Sequence, residues 1–171
     1  MDTYFDLGGY SFPVTTQSTE AQTWFDRGIL WTYGYNHEEA VTCFERAIDA
    51  DPKCAMAHWG AGYAVGPNYN MPWDLFDYAG RAAAARAGYA HARKALDLID
   101  GVTRWEAALI HALPARHPQP DPLNHEAMKE WNADFADAMR DVFAAHPENH
   151  EVRTVFAESL LNLTPWKMWD L

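Results

Sequence analysis

Cysteine is scarce in this chain: two in 171 residues, Cys43 and Cys54. They form no Cys-x-x-Cys pair and cannot build a disulfide framework, so both are expected to be reduced, buried thiols. Long hydrophobic runs are missing too, with no stretch approaching the eighteen apolar residues of a membrane span, and Met1 to Tyr10 lacks the basic and apolar regions of a signal peptide. A soluble, cytoplasmic protein that does not engage membranes is expected. Positive charge is in short supply, with 13 Lys and Arg against 24 Asp and Glu and a formal net charge of -11. That field argues against nucleic acid as a partner. Catalytic signatures are absent as well: no Gly-rich phosphate loop, no GxSxG, no HExxH and no EF-hand loop.

Apolar and aromatic residues are abundant. Nearly half the chain is hydrophobic, with eight Trp, eight Tyr and eight Phe, enough for one domain with a real core. Residues 1–17, with Gly8, Gly9 and Pro13, suit an irregular N-terminal arm whose aromatics pack on the first helices. From Ser18 or Thr19 a helix is predicted to Gly34, carrying Trp24, Gly28 and Trp31 on one side. Asn36 with Glu39 is a capping-box pattern opening a second helix, which Asp51-Pro52 ends. A third runs from about Lys53 to Val65, broken by the loop Gly66-Pro67-Asn68-Tyr69-Asn70-Met71-Pro72. Further helices are expected at about 74–98, 103–113, 124–145 and 149–163, with Thr103 and Glu106 forming a second capping box and residues 114–122 a proline-rich connector. The predicted fold is therefore all-α, with about seven helices.

Trp24, Gly28, Trp31, Ala40, Phe44, Ala47 and Pro52 match the spacing of a tetratricopeptide repeat, in which small residues let paired helices approach. Arg27 departs from that pattern, and later helix pairs match only in outline. The segments Tyr35-Asn36-His37-Glu38-Glu39-Ala40, Asp51 to Gly60, Gly66 to Asn70 and Ala157 to Trp166 resemble a largely uncharacterised group of bacterial tetratricopeptide-repeat (TPR) proteins. The resemblance implies an α-α superhelix over residues 18–171. It also implies that the chain corresponds to the N-terminal half of longer members, incomplete at its C-terminus, since a solenoid ordinarily closes with a polar cap.

In that register, Phe25, Ile29, Thr32 and Tyr33 of the first helix and Met56, Trp59 and Tyr63 of the third face an aromatic groove. Co-chaperone TPR domains hold a terminal carboxylate with lysine and asparagine at those places, so the resemblance disfavours such a tail here. The expected function is a binding module engaging a protein, a peptide or a C-terminal half of its own polypeptide; a homo-oligomer is also compatible. Candidate binding residues are Phe25, Tyr33, Trp59 and Tyr63 in the groove, Asn68 and Asn70 in the rigid loop between Pro67 and Pro72, and Trp166 and Trp169, set three apart as an apolar end. No cofactor is required by this reading. The alternative is a metal-binding protein or metal-dependent enzyme, with Zn or Cu between helices on His37, Glu38, His58 and Glu158. Each has an ordinary structural explanation: Glu38 suits the helix macrodipole, and the aromatics suit a core.

Overall fold

The computed structural model describes residues 4–167 and is built of helices with no strand among them. These residues form seven α-helices in the order α1 (Thr19–Tyr33), α2 (His37–Ala50), α3 (Ala55–Ala64), α4 (Tyr78–Asp97), α5 (Arg104–Arg116), α6 (His125–Ala145) and α7 (His150–Leu161). None is long and apolar enough to cross a membrane.

Local chemistry sets most boundaries. Ser18, Asn36, Asp77, Thr103, Asn124 and Asn149 each cap a helix by accepting a backbone N–H in its first turn, replacing bonds the helix cannot make itself. The capping box at Thr103 and Glu106 is complete. At Asn36 only half of it forms, because the Glu39 carboxylate instead accepts the Tyr4 hydroxyl at 2.6 Å.

Two boundaries differ from the sequence expectation. The helix expected from residue 74 starts at Tyr78: after Pro72 the chain makes a separate 3₁₀ turn, Trp73–Leu75, and Asp77 supplies the cap. Pro114 does not begin the connector but lies within the last turn of α5, which continues to Arg116. Its missing N–H removes one backbone hydrogen bond, and only the short remainder of the helix to Arg116 lies beyond it to be kinked by its ring.

Consecutive helices pack together as α1 with α2, α3 with α4, and α5 with α6, while α7 rests on α6. The connection between α1 and α2 spans only residues 34–36, which forces these packed neighbours to run antiparallel. Contacts also join α1 to α3 and α3 to α5, so the odd-numbered helices of successive pairs stack beside one another, as in a helical repeat. The central element is α3, every residue of which is buried.

Phe44 of α2 lies where α1 and α3 approach. A Cβ at Gly28 would come within 2.6 and 2.8 Å of its ring, and one at Gly60 within 2.6 and 2.7 Å of two ring carbons. Both glycines are therefore small because an aromatic ring occupies the place of their side chains. The arm, residues 4–17, is non-helical and tied down by Phe12, fully buried against Phe25 and Trp105. Thr15 adds bonds from its N–H and hydroxyl to the buried Glu106 carboxylate, at 2.6 and 2.7 Å.

Candidate functional site

The turn from α1 into α2 is stereochemically unusual. Tyr35 has φ +58, the left-handed conformation normally left to glycine at this position. The Tyr35 N–H donates to the Thr32 carbonyl at 3.0 Å and the Asn36 N–H to that of Trp31 at 2.9 Å, the double bond of a Schellman helix ending. Gly34 stands one residue too early to take the strained place. The cost to Tyr35 is about 1 kcal/mol, and in return its ring lies parallel to that of His37, 6.4 Å between centroids.

Tyr35 and His37 line two cavities. The first, about 450 Å³, is walled by Tyr33, Tyr35, His37, Tyr63, Glu158 and Leu161, so that α1, α2, α3 and α7 all contribute. The second, about 660 Å³, lies towards α4 and the 66–71 loop, and its walls include Glu38, Val41, Asn68, Met71 and Phe76.

Glu158 organises the first cavity. Its Oε2 accepts the Tyr63 hydroxyl at 2.6 Å and the Asn162 side-chain amide at 2.8 Å. Its Oε1 is shielded from solvent and meets no donor among the described residues. Burial, followed by the Glu158 charge, drives the Tyr63 phenol well above its ordinary range, so it stays a neutral donor. Two turns earlier on α7, Glu151 accepts the hydroxyls of Tyr33, at 2.8 Å, and Tyr10. Behind the Tyr63 ring, at 4.6 Å, stacks the guanidinium of Arg116. That side chain is 1% exposed and donates to the Pro67 carbonyl.

The Nδ1 of His37 contacts the Ala64 carbonyl at 2.8 Å. A carbonyl only accepts, so Nδ1 carries the hydrogen and Nε2 is a bare acceptor. Burial, assisted by the charge of Arg116 and opposed by the Ala64 bond, pushes the imidazole down to about 4. It is neutral at pH 7.

The sequence candidates thus separate. Tyr33, Tyr63, His37 and Glu158 meet at one cavity, and His37, Glu38 and Asn68 at the next. Phe25 and Trp59 are fully buried and line no open groove: Phe25 packs on Phe12 and Phe44, and Trp59 stacks on Tyr63 and donates to the Leu109 carbonyl. The register that turned them outward is corrected by the arm, which covers α1, and by α5, which covers α3. Asn68 spends its carbonyl on the Asn70 and Met71 N–H groups at 2.9 Å, and holds the loop. Asn70 lines neither cavity. Trp166 is 63% exposed beside Tyr69, but φ +64 places it in a turn, not on a helical face; its expected companion Trp169 lies outside the described residues.

The four proposed metal ligands do not converge. His58 is buried and lines neither cavity, its Nδ1 3.2 Å from the Nδ1 of His91. The ring centroids are 5.5 Å apart, so the two nitrogens point head-on, as an N–H···N hydrogen bond requires and two bonds to one tetrahedral ion do not. Among the described residues, only Asp74, His125 and Glu126 bring three metal-type atoms together. Lys129 already pairs with both of those carboxylates, at 3.2 and 3.0 Å.

Sequence reasoning missed Tyr35, Thr154 and Arg116 as parts of this site, whereas Thr32, read as groove-facing, does line the first cavity. A tyrosine between Gly34 and Asn36 at a helix end was the available signal. Arg116 carried none. Compared with models of known protein families and with curated proteins, the chain matches none.

Proposed function

We propose that this chain is a tetratricopeptide-like binding module that receives a segment of a protein or peptide in the paired cavities around Tyr35 and His37. The supporting observation is Tyr35 itself. A large aromatic residue keeps a strained backbone conformation where glycine would be relaxed, and its ring stands on the rim of both cavities. Strain of this kind is retained where a side chain is needed in a fixed place.

The binding surface differs from the groove read from the repeat register. It runs across the ends of helices, from α7 over the α1–α2 turn to α4, with tyrosines and aliphatic residues as walls and carboxylates at the edges. Large amphipathic side chains with few rotors suit recognition at low entropic cost. The metal-dependent alternative gains no support, because the residues proposed for it face three different environments.

Fluorescence anisotropy with labelled basic, acidic and apolar peptides tests the proposal. Saturable binding of at least one set, weakened at least fivefold by Tyr35→Gly, is expected. Peptides that bind with the same affinity to wild type and Tyr35→Gly, or no binding to any set at 1 mM scale concentrations of protein, roughly the weak limit of a specific contact, would overturn it.

A further inference from the structure

The second cavity exists because one face of α4 carries almost no side-chain volume. Gly80, Ala83, Ala84 and Ala87 all line it, and their spacing puts them side by side on the helix. The remaining apolar walls are Val41 of α2, Val65 at the end of α3, and Met71 and Phe76 from the connection to α4.

Asn68 gives this apolar space a chemical preference. It borders the same cavity and is 5% exposed. Its side-chain oxygen accepts the N–H groups of Asn70 and Met71, both at 2.9 Å, which fixes the amide orientation and leaves Nδ2 as the free end. That nitrogen meets no acceptor among the described residues and, in contrast to Glu158 Oε1, is not closed to solvent. Its loop is held on both sides: the Asn68 N–H and carbonyl each pair with Met71 at 3.1 Å, and Arg116 donates to the Pro67 carbonyl. A nearly buried donor, fixed at the edge of an apolar cavity, calls for an acceptor from outside the chain. His37, which borders both cavities, adds its bare Nε2, also open to solvent. Tyr35, Asn36 and Glu38 complete the polar lining, but all three are exposed and stay hydrated with or without a ligand.

We infer that the second cavity receives an uncharged, apolar side chain of a bound peptide, with Asn68 Nδ2 donating to the backbone carbonyl beside it. The inference rests on the proposed function, and it names the kind of residue that anchors the segment. Each residue of a peptide brings one C=O and, unless it is proline, one N–H next to its side chain, which match a donor on Asn68 and an acceptor on His37; a plain hydrocarbon would leave both unpaired. A charged side chain would lose its hydration among the aliphatic walls. An acidic one would also meet Glu38 and the overall charge of -11.

Isothermal titration calorimetry on the full chain tests this with blocked five-residue peptides that differ only at the central position: leucine, alanine, lysine or glutamate. The leucine peptide is expected to bind saturably, and the alanine peptide about tenfold more weakly for its lost apolar area. The lysine and glutamate peptides should bind no better than alanine. Ala87→Leu fills the cavity from a partly exposed helix position and should weaken the leucine peptide at least tenfold. Ala157→Leu, the matched change on the wall of the first cavity, should weaken it about threefold at most. Asn68→Asp keeps an oxygen to fasten the loop but removes the donor, and should cost about tenfold.

If Asn68→Asp fails to fold, the peptide series and the two alanine variants still decide the matter. Equal affinity for the leucine and alanine peptides, or a larger loss in Ala157→Leu than in Ala87→Leu, would overturn the inference and leave the peptide-binding function standing. Tightest binding of the lysine or glutamate peptide would do the same. A folded Asn68→Asp that binds as wild type does would overturn it as well, reducing Asn68 to a fastener of its loop. Failure of all four peptides to bind would overturn the inference, and the function with it only if the anisotropy sets fail too.

Discussion

Replacing Gly60 with alanine sets a methyl group against the Phe44 ring, where the space is already taken. The added Cβ would lie 2.6 and 2.7 Å from two ring carbons, so the ring must retreat by roughly 1 Å to recover an ordinary carbon–carbon contact. It cannot retreat freely, because Gly28 on α1 holds it from another side with equally short hypothetical contacts of 2.6 and 2.8 Å. Alanine gains about 1 kcal/mol over glycine in a helix, whereas overpacking a core costs about 1–3 kcal/mol and more where no neighbour yields. The upper part of that range applies to a ring clamped by two backbones, so the net loss is about 1–2 kcal/mol. In a chain of this size that lowers the melting temperature by about 2–8 °C. Thermal and urea unfolding read by circular dichroism report the effect, and Phe44→Leu in the Gly60→Ala background should recover about 1 kcal/mol relative to additivity. A Gly60→Ala protein as stable as wild type, or more so, would refute the nesting of these helices around Phe44.

The same structure makes three further predictions. Glu106 is completely buried and its carboxylate accepts from both Thr103 and Thr15, so Glu106→Gln should cost about 2–3 kcal/mol and expose residues 4–17 to limited proteolysis. His117, also fully buried, is pushed down to about 3 by burial, with Arg116 adding to the shift and its bond to the Gly62 carbonyl opposing it. Its unfolded counterpart titrates near 6.5, so its contribution is complete above that value and shrinks as pH falls towards 3, by about 2 kcal/mol between pH 7 and 5; urea midpoints should drop over this range, less steeply in His117→Gln, and a flat wild-type profile would contradict this. Tyr35→Gly removes the left-handed strain of about 1 kcal/mol, so the variant should melt no lower than wild type while binding its ligand more weakly. Lower stability with unchanged binding would reverse the role assigned to Tyr35.

Much of the helical order was legible because it is written locally. Asn36, Thr103, Asn124 and Asn149 advertise helix starts through their own side chains, and Gly28 and Ala40 betray a close crossing by their spacing, though not that the Phe44 ring fills it. Errors arose where two local signals competed, as at residues 74–78, where Asp74 and Asp77 both suit a cap and the 3₁₀ turn after Pro72 decides between them. The candidate site was harder. Tyr63 and Glu158 are 95 positions apart, and although each was singled out, one was assigned to a groove and the other to a metal set. Only the packing of α7 near α3 and the α1–α2 turn makes them a hydrogen-bonded pair. Conversely, Phe25 and Trp59 carry the same aromatic signal as Tyr33 and Tyr63, and periodicity alone cannot tell a ring that lines a cavity from one that fills the core.

The central claim concerns where a ligand sits, and amide chemical shifts report it directly. Titration of isotopically labelled chain with the tightest-binding peptide of the anisotropy assay should move the resonances of Thr32 to His37 and of Arg153 to Leu161, saturating together and leaving α5 and α6 undisturbed. Saturating shifts centred on any other surface, or none at millimolar peptide on the order of the weakest specific affinities, would contradict the account.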